Sequence, residues 1–136
     1  MDREVKMFIE NLKNIKEKQR ASMFFYSGNL FGREIVVVKS GVGKVNAACC
    51  TQALIDFYEP RAIFCTGVAG ALQKDLDLGD TVISRDVVQY DVDASTFGHE
   101  PGEIPNLGIK AFNASRDLAE KALKVHKCLF PDKKAI

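Results

Sequence analysis

Two glycine-bearing turns hold the residues of this 136-residue chain best suited to chemistry. Thr66-Gly67-Val68-Ala69-Gly70-Ala71 follows the apolar run Ala62-Ile63-Phe64-Cys65, and Ser40-Gly41-Val42-Gly43-Lys44 follows Glu34-Ile35-Val36-Val37-Val38-Lys39. Glycine lets the backbone turn sharply and approach a bound molecule closely. In an open α/β sheet, ligands lie beyond the carboxyl ends of the strands. Each turn is therefore either part of a ligand cradle or a tight strand exit whose glycines serve geometry alone. Two such exits able to converge on one crevice favour the cradle.

Other chemistry-bearing residues are weaker signals. Gly41-Val42-Gly43-Lys44 ends like a phosphate loop, but Val45 follows the lysine and the upstream glycine of GxxxxGK[ST] is missing, which argues against a nucleotide triphosphatase. A strand-to-helix turn still aims backbone amides toward a ligand. Asp75, Asp77 and Asp80 lack the remaining ligands of a calcium loop and read as solvated acids. His99, in a Gly/Pro-rich stretch, reads as a surface histidine rather than a general base, because no orienting partner is evident. Cys49, Cys50, Cys65 and Cys128 show no CxxC spacing and read as reduced core residues. With only two histidines and no ligand cluster, no metal site is expected. Asn113-Ala114-Ser115 is a glycosylation sequon relevant only to a secreted chain.

The elements that must position these residues follow from periodicity. Val5, Phe8, Ile9, Leu12 and Ile15 predict a helix over 1–20, with Asp2 and Glu4 in its first turn, where acids complement the helix dipole. Ser22–Ser27 and Arg33–Lys39 predict two strands joined by a Gly28–Gly32 hairpin connection. Val45–Tyr58 predicts a helix stopped by Pro60. Ala62–Cys65 and Thr81–Ser84 read as buried strands, and Asp86–Tyr90 continues the sheet. Residues 91–110, with Gly98, Pro101, Gly102, Pro105 and Gly108, form a long loop, which in a compact domain is usually functional. A last helix over 114–127 turns Leu118, Ala122, Leu123 and Val125 inward. The expected class is α/β, as one domain over 1–136.

Composition sets the outer limits. Hydrophobic content of 46 % and charged content of 27 % fit a soluble globular chain. A net charge of +1 offers no electrostatic reason for nucleic acid or a membrane surface as a partner. No apolar run approaches the roughly 18 residues of a membrane span, and no signal-peptide pattern opens the chain. A cytoplasmic location is expected.

In order and spacing, Met1-Asp2-Arg3-Glu4-Val5, Lys39 to Ala48, Thr66-Gly67-Val68-Ala69-Gly70, Leu78-Gly79-Asp80 and Phe97-Gly98 resemble the purine nucleoside phosphorylase/hydrolase superfamily. The resemblance is greatest to its 5′-methylthioadenosine/S-adenosylhomocysteine nucleosidase branch. It implies a three-layer phosphorylase/hydrolase-like α/β fold with a central mixed sheet. It also implies hydrolysis of the N-glycosidic bond between adenine and a 5′-thio-substituted ribose in methionine salvage, without a cofactor, in a homodimer. By resemblance Glu4 holds and activates the attacking water. Met1, Val42, Val68, Ala69 and Gly70 fall on substrate-binding positions, and Phe97 and Pro105 on loop positions that close the partner's thioalkyl pocket.

Some positions depart from the family pattern. Val68 stands where a serine or threonine is frequent, and His99 where an aromatic is frequent. Cys65 stands where the hexameric phosphorylases carry a phosphate-binding arginine. A neutral thiol cannot hold phosphate as a guanidinium does, so water is the expected nucleophile. The family's first strand and its second half, with the base-stacking aromatic, the ribose-binding Met-Glu pair and the adenine-protonating aspartate, have no counterpart in 1–136. A truncated, nearly inactive nucleosidase-like chain is thus expected. A futalosine-type nucleosidase, a phosphorylase and a non-catalytic nucleoside-binding or dimerisation module are the alternatives.

Overall fold

The computed structural model describes residues 2–136, with side chains from Glu4 onward. The chain divides into two units, Met1–Gly70 and Ala71–Ile136.

In the first unit, α1 (Asp2–Asn11) leads into three antiparallel strands, β1 (Lys13–Arg20), β2 (Met23–Leu30) and β3 (Arg33–Val38), ordered β1-β2-β3. The predicted helix over 1–20 is therefore half helix and half strand. Helix ends at Asn11, whose side-chain amide donates to the Met7 carbonyl at 2.8 Å. Beyond it Leu12 is buried, and a full ladder from Lys16–Ser27 to Arg20–Met23 captures the polar residues that follow. Tertiary pairing here overrides local periodicity. The β2–β3 hairpin is tighter than expected. Phe31 and Gly32 form a two-residue loop with φ of 49° and 81°, the twist that two-residue hairpins favour. Asn29 Oδ1 accepts the Gly32 N–H at 2.9 Å and supports it.

Helix α2 (Lys44–Tyr58) follows the first glycine turn and ends at Glu59, which is left-handed at φ 44° and donates its N–H to the Ile55 carbonyl. Cys50 and Ala53 are its buried residues. Its Tyr58 ring stacks on Phe25 with centroids 5.7 Å apart, and Phe25 on β2 is fully buried. Arg20 lies over the Phe57 ring at 5.2 Å. These contacts hold the helix to the sheet. Ala62–Cys65, predicted as a buried strand, is exposed and has no ladder partner among the described residues. Its sequence is suited to pairing on both sides, and the three-stranded sheet does not reach it.

In the second unit, β4 (Asp86–Val88) pairs antiparallel with β5 (Ala111–Asn113), a strand not anticipated from sequence. Residues 91–110 thereby become a wide hairpin connection, carrying a 3-10 turn at Ser95–Phe97. The predicted strand over 81–84 is reduced to a parallel bridge, Thr81 with Ala135, continued by the Ile83 N–H donating to the Ile136 carbonyl at 2.7 Å. Helix α3 (Arg116–Leu129) buries His126, whereas Val125, expected inward, is 56 % exposed and Ala122 is exposed as well. His126 packs its ring on Phe130. The α/β class is as expected, and among the described residues the β structure is two small antiparallel sheets, in keeping with a family sheet that is incomplete in this chain. Among the described residues no helix is long and apolar enough to cross a membrane.

Candidate functional site

The site candidate in the first unit is built by two segments far apart in sequence. Glu4 sits in the first turn of α1, and its Oε1 accepts the Val68 N–H at 3.0 Å. Gly67 allows the approach: a methyl group at that position would lie 3.2 Å from the same oxygen. The second glycine turn thus closes on the carboxylate through its backbone. Among the described residues the Val68 N–H, and more weakly Lys39, help hold the Glu4 carboxyl below its ordinary value of 4.5. A half-buried, ionised carboxylate results, able to accept a hydrogen bond from water and to stabilise a neighbouring cation.

The first glycine turn is held by its own devices. Gly41 and Gly43 have φ of 83° and 94°, a conformation side chains rarely adopt. Asn46, one turn into α2, donates its side-chain amide to the Val42 carbonyl at 2.7 Å. Val42 itself projects outward, 92 % exposed. Val68, Ala69 and Gly70 are exposed on the second turn. Of the site residues expected from sequence, direct contact joins Glu4 to Val68; Met1 lies outside the described residues. Sequence reasoning singled out the Gly67 turn for close approach but gave no individual role to Lys39 or Asn46. The usable signal was an amide side chain four residues after Val42, at the start of a helix. A separate cavity of about 580 Å³ opens beside α1, lined among others by Val5, Ile9, Met23, Tyr26 and Gly41, and reaches neither Glu4 nor Val68.

In the second unit Phe97 is 85 % exposed at the 3-10 turn, and Pro105 is half-buried in the same long connection. That connection is braced. His99 Nδ1 lies 2.9 Å from Glu103 Oε1, the Glu100 N–H donates to Glu103 Oε2 at 3.0 Å, and Lys110 reaches Glu100 at 2.9 Å. His99 and then the Glu100 N–H hold the Glu103 carboxyl below its ordinary value. His99 does have an orienting carboxylate, four residues on, contrary to the expectation from sequence.

Asp75 and Asp80 are occupied by the chain itself. Lys134 pairs with Asp75, and Asp80 accepts the N–H groups of Asp77 and Lys134 at 2.8 and 3.0 Å. Among the described residues no group of three or more His, Cys, Asp or Glu is arranged to hold a metal. All four cysteines are free, but only Cys50 is buried; Cys49, Cys65 and Cys128 are exposed, not core residues as expected. Burial, and secondarily Cys65, push the Cys50 thiol above its ordinary value.

A 5′-methylthioadenosine/S-adenosylhomocysteine nucleosidase of Staphylococcus aureus (strain JH9) is 44 % identical over 125 residues, 92 % of this chain and 54 % of the relative. The structure of the Neisseria meningitidis nucleosidase with methylthio-immucillin-A superposes with a TM-score of 0.93 at 32 % identity, covering 99 % of this chain and 58 % of the neighbour. That of the Colwellia psychrerythraea nucleosidase with adenine gives 0.93 at 38 % identity, covering 99 % and 55 %. The fold is therefore phosphorylase/hydrolase-like, and the chain spans about half the length of the relatives it matches. Residues 1–130 match the family model of the phosphorylase superfamily, and the chain belongs to that superfamily.

Proposed function

We propose that this chain carries the water-activating side of an N-glycosidic hydrolase acting on 5′-methylthioadenosine and S-adenosylhomocysteine. The observation that carries this reading is the Glu4 carboxylate seated on the Val68 N–H at the exit of the second glycine turn, in a chain 44 % identical to such a nucleosidase.

In the proposed reaction the bond from ribose C1′ to the adenine nitrogen breaks, and its electron pair leaves with the base as an acid protonates it. A ribosyl cation forms. Water bound to Glu4 attacks C1′ and loses its proton toward the carboxylate, while the negative charge stabilises the cation. A carboxyl held ionised by a backbone N–H suits the electrostatic part of this role. Val42, Val68, Ala69 and Gly70 form the sugar and base walls. Phe97 and Pro105 close the pocket of a partner copy in a homodimer. Residues 1–136 act as a single nucleosidase-like domain, in the cytoplasm and in methionine salvage. Cys65, in place of a phosphate-binding arginine, favours water over phosphate as nucleophile.

A chimera in which residues 1–136 replace the matching portion of the Staphylococcus aureus relative tests this. Release of adenine from 5′-methylthioadenosine without phosphate is expected, with Glu4→Gln slowing it by about 10²- to 10⁴-fold. Phosphate-dependent release, or a Glu4→Gln chimera as fast as the parent, would overturn the assignment.

A further inference from the structure

The connection between β4 and β5 is anchored at two places and jointed between them. At the near anchor the N–H groups of Phe97 and His99 donate to the Ala94 carbonyl at 2.9 and 3.4 Å, which fixes the 3-10 turn carrying Phe97. At the far anchor the Ile104 N–H donates to the Ile109 carbonyl at 2.8 Å. Gly98 and Gly102, with φ of 85° and 84°, are the joints. Gly102 is pinned by its own N–H, which donates to the Val92 carbonyl at 2.7 Å. The stretch ahead of it, Phe97 to Pro101, is tied to the far anchor by the 2.9 Å contact between His99 Nδ1 and Glu103 Oε1. These two side chains are 31 % and 24 % exposed, so water screens them less than a surface pair.

Glu103 also accepts the Glu100 N–H, and the two bonds hold its carboxyl below the ordinary value of 4.5. It is therefore ionised at neutral pH and can only accept, so Nδ1 carries the proton. A change of charge between about pH 5 and pH 8 belongs to the imidazole. The other charged groups of the connection are Asp91, Asp93, Glu100 and Lys110. Lys110 pairs with Glu100 at 2.9 Å, and Asp93 accepts the Ser95 N–H at 2.9 Å. Val88 and Gln89, which approach Gly102 from the β4 side, bring no charge. A neutral ring gives Glu103 an ordinary hydrogen bond, and an imidazolium gives it a charge-assisted one about twice as strong.

We propose that His99 and Glu103 form a proton-dependent clasp, which holds Phe97 in its outward setting when the imidazole is charged and loosens the Phe97–Pro101 stretch when it is neutral. Both are positioning residues for Phe97, which is 85 % exposed at the end of its turn. What Phe97 packs on rests on the nucleosidase reading; the clasp does not.

The test is amide hydrogen exchange of the full chain at pH 5.5 and pH 8, corrected for the intrinsic effect of pH. Protection at Gly98, His99 and Glu100 is expected to be about three- to tenfold greater at the lower pH. Gly102, pinned by backbone, should change little. Glu103→Gln and His99→Gln keep a hydrogen-bonding group without the charge, and in both the dependence should vanish. His126→Phe removes the chain's other histidine and should leave the dependence intact. Equal protection at both pH values in the parent overturns the proposal. So does a dependence that survives Glu103→Gln, or one that His126→Phe abolishes. The chimera keeps the two ideas apart. Adenine release by the chimera when the chain shows no such dependence refutes the clasp alone, and a clasp in a chain whose chimera releases no adenine refutes the nucleosidase reading alone.

Discussion

Substituting Gly67 separates the cost of moving the carboxylate proposed as catalytic from any cost to the fold. A β-carbon at this position would stand 3.2 Å from Glu4 Oε1 and 3.9 Å from its carboxyl carbon. The first distance is a few tenths of an ångström inside ordinary van der Waals contact. Glu4 Oε1 is the end of a flexible side chain, so the strain is relieved by shifting the carboxylate and lengthening its 3.0 Å bond to the Val68 N–H. Gly67 is not among the glycines at positive φ, so alanine fits the backbone there. The unfolded chain loses freedom, and stability rises by up to about 1 kcal/mol or stays level.

Activity moves the other way. A displacement of about 1 Å at a reacting group costs on the order of 10² in rate. Scaled to a few tenths of an ångström, the loss for Gly67→Ala is about three- to tenfold in kcat. Gly67→Val, which pushes further, should lose about 10²-fold. The assay is adenine release by the chimera, with thermal unfolding of the same samples. A Gly67→Ala chimera with parental kcat would refute the claim that this turn positions Glu4. A variant that loses activity only in proportion to lost stability would refute it as well.

Three further outcomes follow from the second unit. Gly102 has φ of 84°, and a β-carbon there would meet Val88 Cγ1 at 2.8 Å; Gly102→Ala should lower urea-unfolding stability by about 2–4 kcal/mol through left-handed strain plus overpacking. Among the described residues neither ring nitrogen of buried His126 has a hydrogen-bond partner; His126→Phe should therefore raise stability by about 1 kcal/mol, and a loss of stability would contradict the packing described. The N–H groups of Asp77 and Lys134 hold the Asp80 carboxyl below its ordinary value of 3.8. A depressed folded value means that its contribution is present above 3.8 and is lost as pH falls through the lower folded value. Denaturation midpoints from about pH 5 to about pH 2 should accordingly fall more shallowly for Asp80→Asn than for the parent.

Elements that owe their form to local chemistry were readable before any coordinates. The hairpin between the second and third strands, the helix following Gly43 and its stop before Pro60 all follow from turn and breaker residues. Elements that owe their form to a partner were not. Lys13–Arg20 carries no strand pattern and becomes one because the Met23–Leu30 strand is there to pair with it. Ala111–Asn113 is three residues long and exists through Asp86–Val88. Ala62–Cys65 reads as a strand and lacks a ladder for the converse reason. His126 was overlooked because a histidine on a helix does not announce burial, whereas the apolar Val125 beside it does, wrongly.

The site was legible in its turns and obscure in its acid. Glu4 and Val68 are separated by 64 positions, and no periodicity or turn rule spans that distance. Locally, a glutamate in the first turn of a helix is fully accounted for by the helix dipole, which is why pattern similarity to a family was needed to single it out. The two accounts act in the same direction. The dipole at the helix start and the Val68 N–H both favour the ionised carboxyl. A group held in that state is a modest proton acceptor and a permanent negative charge. If Glu4 serves a cationic transition state, its charge therefore carries more of the rate than its basicity. The backbone of the glycine turn maintains that charge at the distance Gly67 permits.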